Sequence, residues 1–234
     1  MTATTPRGAP FVVCDFDETA AECNVARLLL REFAGPAIQQ HQAAHSAGRI
    51  TFREYQERAF DTVTASVDEM QAYVLEHAGL RPGLCQAVHA TRAAGGTFTI
   101  ASAGLDIYIQ PLLNASGLGD VPVKAVTAIP KGAGGTPPFR YDYPAGRDYC
   151  RGWAVCKCLP LEEGRASGRH TVFVGDGPRS DECAAAQADT VFARGRLLDY
   201  CRRAGIAAHP FNDFFAIARY VSRLRPETAR TSEV

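Results

Sequence analysis

The chain has 234 residues and carries 25 basic and 25 acidic side chains, a formal net charge of zero. That balance gives no electrostatic grip on nucleic acid or on an anionic membrane, and no apolar run approaches the roughly 18 residues that a bilayer span needs. The length fits one α/β domain with a modest insertion and suffices for a real core. Eight cysteines are even in number, but the chain is large and its first ten residues hold no hydrophobic segment. The expectation is a cytoplasmic protein, without a secretory signal, whose thiols stay reduced.

In chain order, Phe11-Val12-Val13-Cys14 reads as a buried parallel strand, and Asp15 and Asp17 follow it. A regular strand would put both acids on one face; the strand is instead expected to end here and turn both into a crevice at its carboxyl end. Carboxylates that close repel each other unless a cation or a shared proton intervenes. About sixty residues of helical pattern come next. Glu22 to Phe33 is stopped by Gly35-Pro36, and Ala37 to Ala47 is a polar helix with His41 and His45. Thr51 and Glu54 form a capping box for a helix to about Val63, and Ser66 caps another running to Gly79. A single crossover helix needs only about a dozen residues, so residues 21–79 are expected to be a helical cap inserted after the first strand. Residues 1–20 and 80–234 then make the α/β core.

Arg81-Pro82-Gly83 punctuates the return to the core, Leu84 to Ala94 is a crossover helix, and Thr97 to Ser102 a strand. Gly104 to Ser116 reads as a helix whose amino end lies directly after Ser102, and Val121 to Ile129 as a strand. Residues 131–147, rich in Gly and Pro, read as a loop or a short hairpin extension. Cys156 to Glu163 is helical; Thr171 to Val174 is a strand running into Gly175-Asp176-Gly177. The helix Asp181 to Ala188, the strand Thr190 to Ala193 and helices over Leu197 to Ala204 and Asn212 to Leu224 follow, and the tail beyond Pro226 is expected to fray. Strands alternating with helices give an α/β, doubly wound parallel sheet with the site at the strand carboxyl ends.

A DxDxT strand end (Asp15 to Thr19), a strand-end Ser (Ser102), a Lys opening a helix (Lys157) and a GD…D strand end (Asp176, Asp181) stand in that order. This ordered set, spanning about residues 11 to 194, resembles the haloacid dehalogenase superfamily. The resemblance implies a Rossmann-like core with Mg²⁺ as cofactor and Asp15 as a nucleophile that becomes an aspartyl-phosphate. It implies Asp17 as general acid and base, with its backbone carbonyl on the metal, and Asp176 as the remaining carboxylate ligand. Asp181 would be a metal ligand or an acid beside the ligands. Ser102 with the amides of Ala103 and Gly104 would hold the phosphoryl oxygens together with Lys157, and Thr19 would brace the nucleophile loop. Dehalogenases of the superfamily lack an acid at the position of Asp17 and its ion-pumping ATPases carry Thr there. An acid therefore implies a phosphatase or a phosphomutase.

Asp148-Tyr149-Cys150-Arg151-Gly152 before Cys156-Lys157, and Phe192 to Cys201, look like the methionine-salvage phosphatases. Asp15-Phe16-Asp17-Glu18-Thr19 is also similar to the phosphoethanolamine/phosphocholine phosphatases. Both belong to the branch that includes phosphoserine phosphatase. The implied partner is a small phosphorylated metabolite, with no nucleic acid or membrane, and a homodimer is left open as the assembly. Glu22 and Asn24 stand where relatives place groups that read the substrate. Cys150, Cys156 and Cys158 lack the C-x₂₋₄-C pairing of structural zinc sites and are expected to stay reduced. His41 and His45 lie four apart on one helix face with no third ligand evident, and read as a solvated face. A phospho-accepting receiver module is the rival from another class, but receivers carry neither an equivalent of Asp17 nor a cap.

Overall fold

The computed structural model describes residues 8–146 and 152–224. Residues 147–151, which include Cys150 and most of the motif ending at Gly152, and the tail beyond Pro226 lie outside the described residues. Seven strands form one sheet: β1 (Pro10–Cys14), β2 (Thr97–Leu105), β3 (Val123–Pro130), β4 (Phe139–Asp142), β5 (His170–Gly175), β6 (Thr190–Ala193) and β7 (His209–Pro210). Their order is β4-β3-β2-β1-β5-β6-β7, and every pairing is parallel except β3 with β4. β1 is central and entirely buried. A central parallel strand is covered on both faces, so it reads as a continuous apolar run rather than an alternation.

Between β1 and the crossover stand α1 (Val25–Phe33), α2 (Ile38–Ser46), α3 (Phe52–Phe60) and α4 (Val67–His77). The Thr51–Glu54 capping box forms as expected, and Ser66 with Glu69 makes a second one at α4. A backbone bridge between Ala21 and Leu80 closes the base of this excursion. The sheet is covered by α5 (Leu84–Ala93), α6 (Asp106–Ala115), α7 (Cys158–Ala166), α8 (Pro178–Ala185), α9 (Gly195–Ala204) and α10 (Phe215–Val221). Successive residues of β1 enter opposite layers, as strand pleating requires. Val12 and Cys14 pack with α5, α6 and α10, whereas Phe11 and Val13 pack with α7, α8 and α9. Among the described residues no helix is long and apolar enough to cross a membrane.

Two expected helix starts shift, one open alternative is resolved and one strand is new. The helix expected from Gly104 starts at Asp106, because β2 continues through Gly104 to Leu105 with a register break against β3 between Ala101 and Leu105. The amino end of α6 therefore lies beyond the place expected for it, and a bulged strand end occupies the space after Ser102. Residues 139–142 form the hairpin alternative, pairing antiparallel with β3. α8 starts at Pro178 rather than Asp181, with proline at the first helical position where its missing N–H costs nothing. β7, two exposed residues long, carries no periodic signal and was not expected.

Candidate active site

Asp15 leaves β1 with its N–H bonded to the carbonyl of Val174 at 2.9 Å, which ties the ends of β1 and β5 together. The chain then makes one wide turn, closed by Ala20 N–H to Asp15 O at 3.3 Å and Ala21 N–H to Phe16 O at 2.8 Å. Inside it Asp17 is extended and Glu18 is left-handed at φ 59°, a strained conformation for a residue with a side chain. Two guanidinium groups hold this loop. Arg81, buried, donates to the carbonyls of Thr19 (2.8 Å), Glu18 (3.0 Å), Ala21 (3.3 Å) and Asn212 (3.3 Å). Arg194 donates to the Glu18 carbonyl at 2.6 Å. Arg81→Met would remove this donor from the Thr19, Ala21 and Asn212 carbonyls, Glu18 keeping Arg194, at a cost of about 2–4 kcal/mol. Denaturant unfolding should show that loss, while Arg58→Met at an exposed pair should stay close to the parent.

The turn separates the two acids. Asp17 accepts from the Val25 N–H at 2.7 Å, at the start of α1, and from the Tyr108 hydroxyl at 3.0 Å. Burial, then the charge of Asp15, pushes its carboxyl up to about 6. Gly104 makes room for this contact: a Cβ there would lie 2.0 Å from the Tyr108 hydroxyl and 3.0 Å from Asp17 Oδ2. The buried Ser102 hydroxyl accepts from the Gly104 N–H at 3.0 Å.

Asp15 faces the other way. Lys157 is no surface lysine; it is 1% exposed. Its Nζ lies 2.6 Å from Asp15 Oδ1 and 2.5 Å from Asp181 Oδ1. Asp181 also accepts from the Ser180 hydroxyl (2.9 Å) and the Gly177 N–H (3.2 Å). Gly175 permits its approach, since a Cβ there would meet Asp181 Oδ2 at 2.5 Å. The Thr19 hydroxyl stands 3.1 Å from Asp176 Oδ1 and 3.4 Å from Asp15 Oδ2, bridging the acids of the two strand ends.

Among the described residues, Asp15, Asp176 and Asp181 form the one metal-capable set, with an oxygen from each lying within 4.8 Å of the others. Burial and then mutual repulsion raise Asp176 above the usual carboxylate range; for Asp15 burial leads and outweighs the opposing Lys157 ammonium, carrying it to about 7. Three acids crowded around one ammonium, all with oxygen donors, suit a hard divalent cation, which would reverse both shifts.

Asp15, Asp17, Asn24, Ser102, Ala103, Gly104, Lys157 and Asp176 line one cavity of about 780 Å³. Thr19 and Asp181 stand behind them, bonded to the lining acids and to Lys157. Glu22 is not brought into the lining; it sits at the base of the excursion beside Gly79, its N–H on the Gly79 carbonyl. Asn24 reaches the cavity, but its side chain caps α1 by accepting from the Arg27 N–H at 2.8 Å. Tyr108, Arg81 and Arg194 were missed. Arg81 reads in sequence only as part of a turn, and nothing local marks Tyr108.

The haloacid dehalogenase-like hydrolase family matches the chain over residues 12–186. A 2-hydroxy-3-keto-5-methylthiopentenyl-1-phosphate phosphatase from Geobacillus thermodenitrificans is 30% identical, over 90% of this chain and 94% of its own. One of the same name from Bacillus velezensis is 26% identical, over 89% and 88% respectively. Among solved structures, a substrate-bound phosphoserine phosphatase complex shares the fold at a TM-score of 0.66 and 16% identity, covering 93% of this chain and 99% of its own. With the sheet order, the strand-end acids and a family match over three quarters of its length, this chain belongs to the haloacid dehalogenase-like hydrolases.

Proposed function

We propose that this hydrolase is a Mg²⁺-dependent phosphomonoesterase that acts on a small phosphorylated metabolite through an aspartyl-phosphate on Asp15. The observation that carries this reading is the separation of the two strand-end acids. Asp15 is paired with the Lys157 ammonium and belongs to the metal-capable set with Asp176 and Asp181, whereas Asp17 is turned away from that set, onto the Val25 N–H and the Tyr108 hydroxyl. Burial raises both carboxyls, but only Asp15 stands where a bound cation would return it to the carboxylate form, leaving Asp17 as the proton donor.

The Asp15 carboxylate attacks phosphorus as the ester P–O bond breaks, and Asp17 gives its proton to the departing oxygen. Asp17, now ionised, takes a proton from water as that water attacks the phosphorus of the aspartyl-phosphate, freeing phosphate and restoring Asp15. Lys157, the Ser102 hydroxyl and the Ala103 N–H hold the phosphoryl oxygens, while the Gly104 N–H is engaged by the Ser102 hydroxyl oxygen and orients it. Asp15, the Asp17 carbonyl and Asp176 would hold Mg²⁺, which supplies neutralisation of the phosphoryl charge. Asp181 acts by orienting Lys157, which it contacts at 2.5 Å. Residues 21–79 act as the cap over this site and the remainder as the catalytic core. Relatives named for a methionine-salvage phosphate support a substrate of modest size.

Release of phosphate from p-nitrophenyl phosphate tests the reading. Excess chelator should lower the rate by about 10²-fold or more, and added Mg²⁺ should restore it. Undiminished turnover in chelator would overturn the metal dependence.

A further inference from the structure

The cavity has one feature that the chemistry of phosphoryl transfer does not use. Phe52, Gln56 and Phe60 lie four residues apart on α3 and all line it. At about 1.5 Å of rise per residue they are spaced roughly 6 Å from one another along one helix face. Phe60 packs against Tyr108, with ring centroids 6.5 Å apart, and Tyr108 bonds Asp17. This end of the face adjoins the acid that would serve the leaving oxygen.

One turn further out is Gln56, only 4% exposed, and its amide makes no hydrogen bond to any described residue. No side-chain nitrogen or oxygen there is both sealed and unpaired. The Gln56 amide is therefore not fully sealed, and its residue lines the cavity. A nearly buried amide without a protein partner carries a desolvation penalty that a ligand group can remove.

A second turn out, Phe52 stands 6.1 Å from the His45 ring and 5.8 Å from Trp153, and His45 stacks on Tyr55 at 5.2 Å. These rings are not the inside of a closed core. All four remain partly exposed, and α2, which carries His45, buries no residue.

We propose that this face of α3 selects the leaving group: Gln56 hydrogen-bonds a hydroxyl or carbonyl close to the ester, and the rings around Phe52 pack a flat apolar end beyond it. The substrate class is a phosphate ester of a short chain bearing a hydroxyl or carbonyl near the phosphate and an aromatic or similarly flat terminus. This rests on the phosphomonoesterase reading, which places the ester oxygen beside Asp17.

Four esters form the test: propyl, 2-hydroxypropyl, 3-phenylpropyl and 2-hydroxy-3-phenylpropyl phosphate, each assayed by phosphate release. In the parent protein the hydroxyl and the phenyl group should each raise kcat/KM by about tenfold or more. Gln56→Met should erase the hydroxyl advantage and keep the phenyl one. Phe52→Ala should do the reverse, and both should turn over propyl phosphate like the parent. Gln56→Leu, with a thermal melt, guards against a folding defect particular to Met. Equal losses on all four esters, or a hydroxyl preference that survives in both Gln56 variants, would overturn the assignment. If the parent releases phosphate from neither these esters nor p-nitrophenyl phosphate, the phosphomonoesterase reading falls first and this inference with it. Turnover without the pattern sinks this inference alone.

Discussion

Asp15→Asn is expected to lower turnover of any phosphate ester by about 10³-fold or more, because the amide cannot attack phosphorus and no neighbouring acid stands in its place. The replacement is nearly isosteric, and the backbone N–H of residue 15 keeps its bond to Val174. Lys157 keeps its contact with Asp181, so its ammonium is not left unpaired in the interior. The fold should therefore survive, and a thermal melt beside steady-state kinetics separates the two effects. A folded Asp15→Asn variant that retained a tenth of the parent rate would remove Asp15 from the role of nucleophile.

Asp17→Asn should split the reaction in two. Attack by Asp15 needs no proton, but expulsion of an alkoxide does, so alkyl esters should slow by about 10²–10⁴-fold. An ester of an acidic phenol departs without help and should still phosphorylate Asp15, slowly. Hydrolysis of the aspartyl-phosphate loses its base, so phospho-enzyme should accumulate relative to the parent protein. Rapid-quench measurement with labelled aryl phosphate reads this directly. The contacts of Asp17 sharpen the expectation. Its Oδ1 accepts from the Val25 N–H and its Oδ2 from the Tyr108 hydroxyl, and an amide can keep both contacts, its oxygen on Val25 and its NH₂ donating to the Tyr108 hydroxyl oxygen, so a lost rate reads proton transfer rather than misplacement. Wild-type rates on both alkyl and aryl esters would show that Asp17 is neither acid nor base.

The two proposals meet at one place. Tyr108 bonds Asp17 on one side and packs under Phe60 on the other. The helix that would read the leaving group is thereby in contact with the residue that orients its proton donor. A leaving group seated along α3 is held where Asp17 can serve its oxygen, and proximity of this kind accounts for much of the rate of phosphoryl transfer.

The sequence by itself determined what depends on near neighbours. The apolar run before Asp15 marks the central strand because burial on both faces abolishes alternation. Thr51 with Glu54 marks the start of α3 because a capping box closes within one turn. The ordered strand-end residues Asp15, Ser102 and Asp176 could be placed together because parallel α/β sheets gather their carboxyl ends on one edge. Only the tertiary structure decided which of these groups touch. Lys157 is marked in the sequence only by its place at the opening of a helix, and its pairing with Asp181, 24 positions further along the chain, is made by the fold. Arg81 reads as part of a turn until the loop that it clamps folds back over it. Tyr108 and Gln56 carry no local mark at all, since the partner of the one and the lack of a partner for the other among the described residues are properties of packing between distant elements. Local pattern specifies the elements, and the site's electrostatics arise from contacts across the sheet, where separation along the chain carries no information about distance in space.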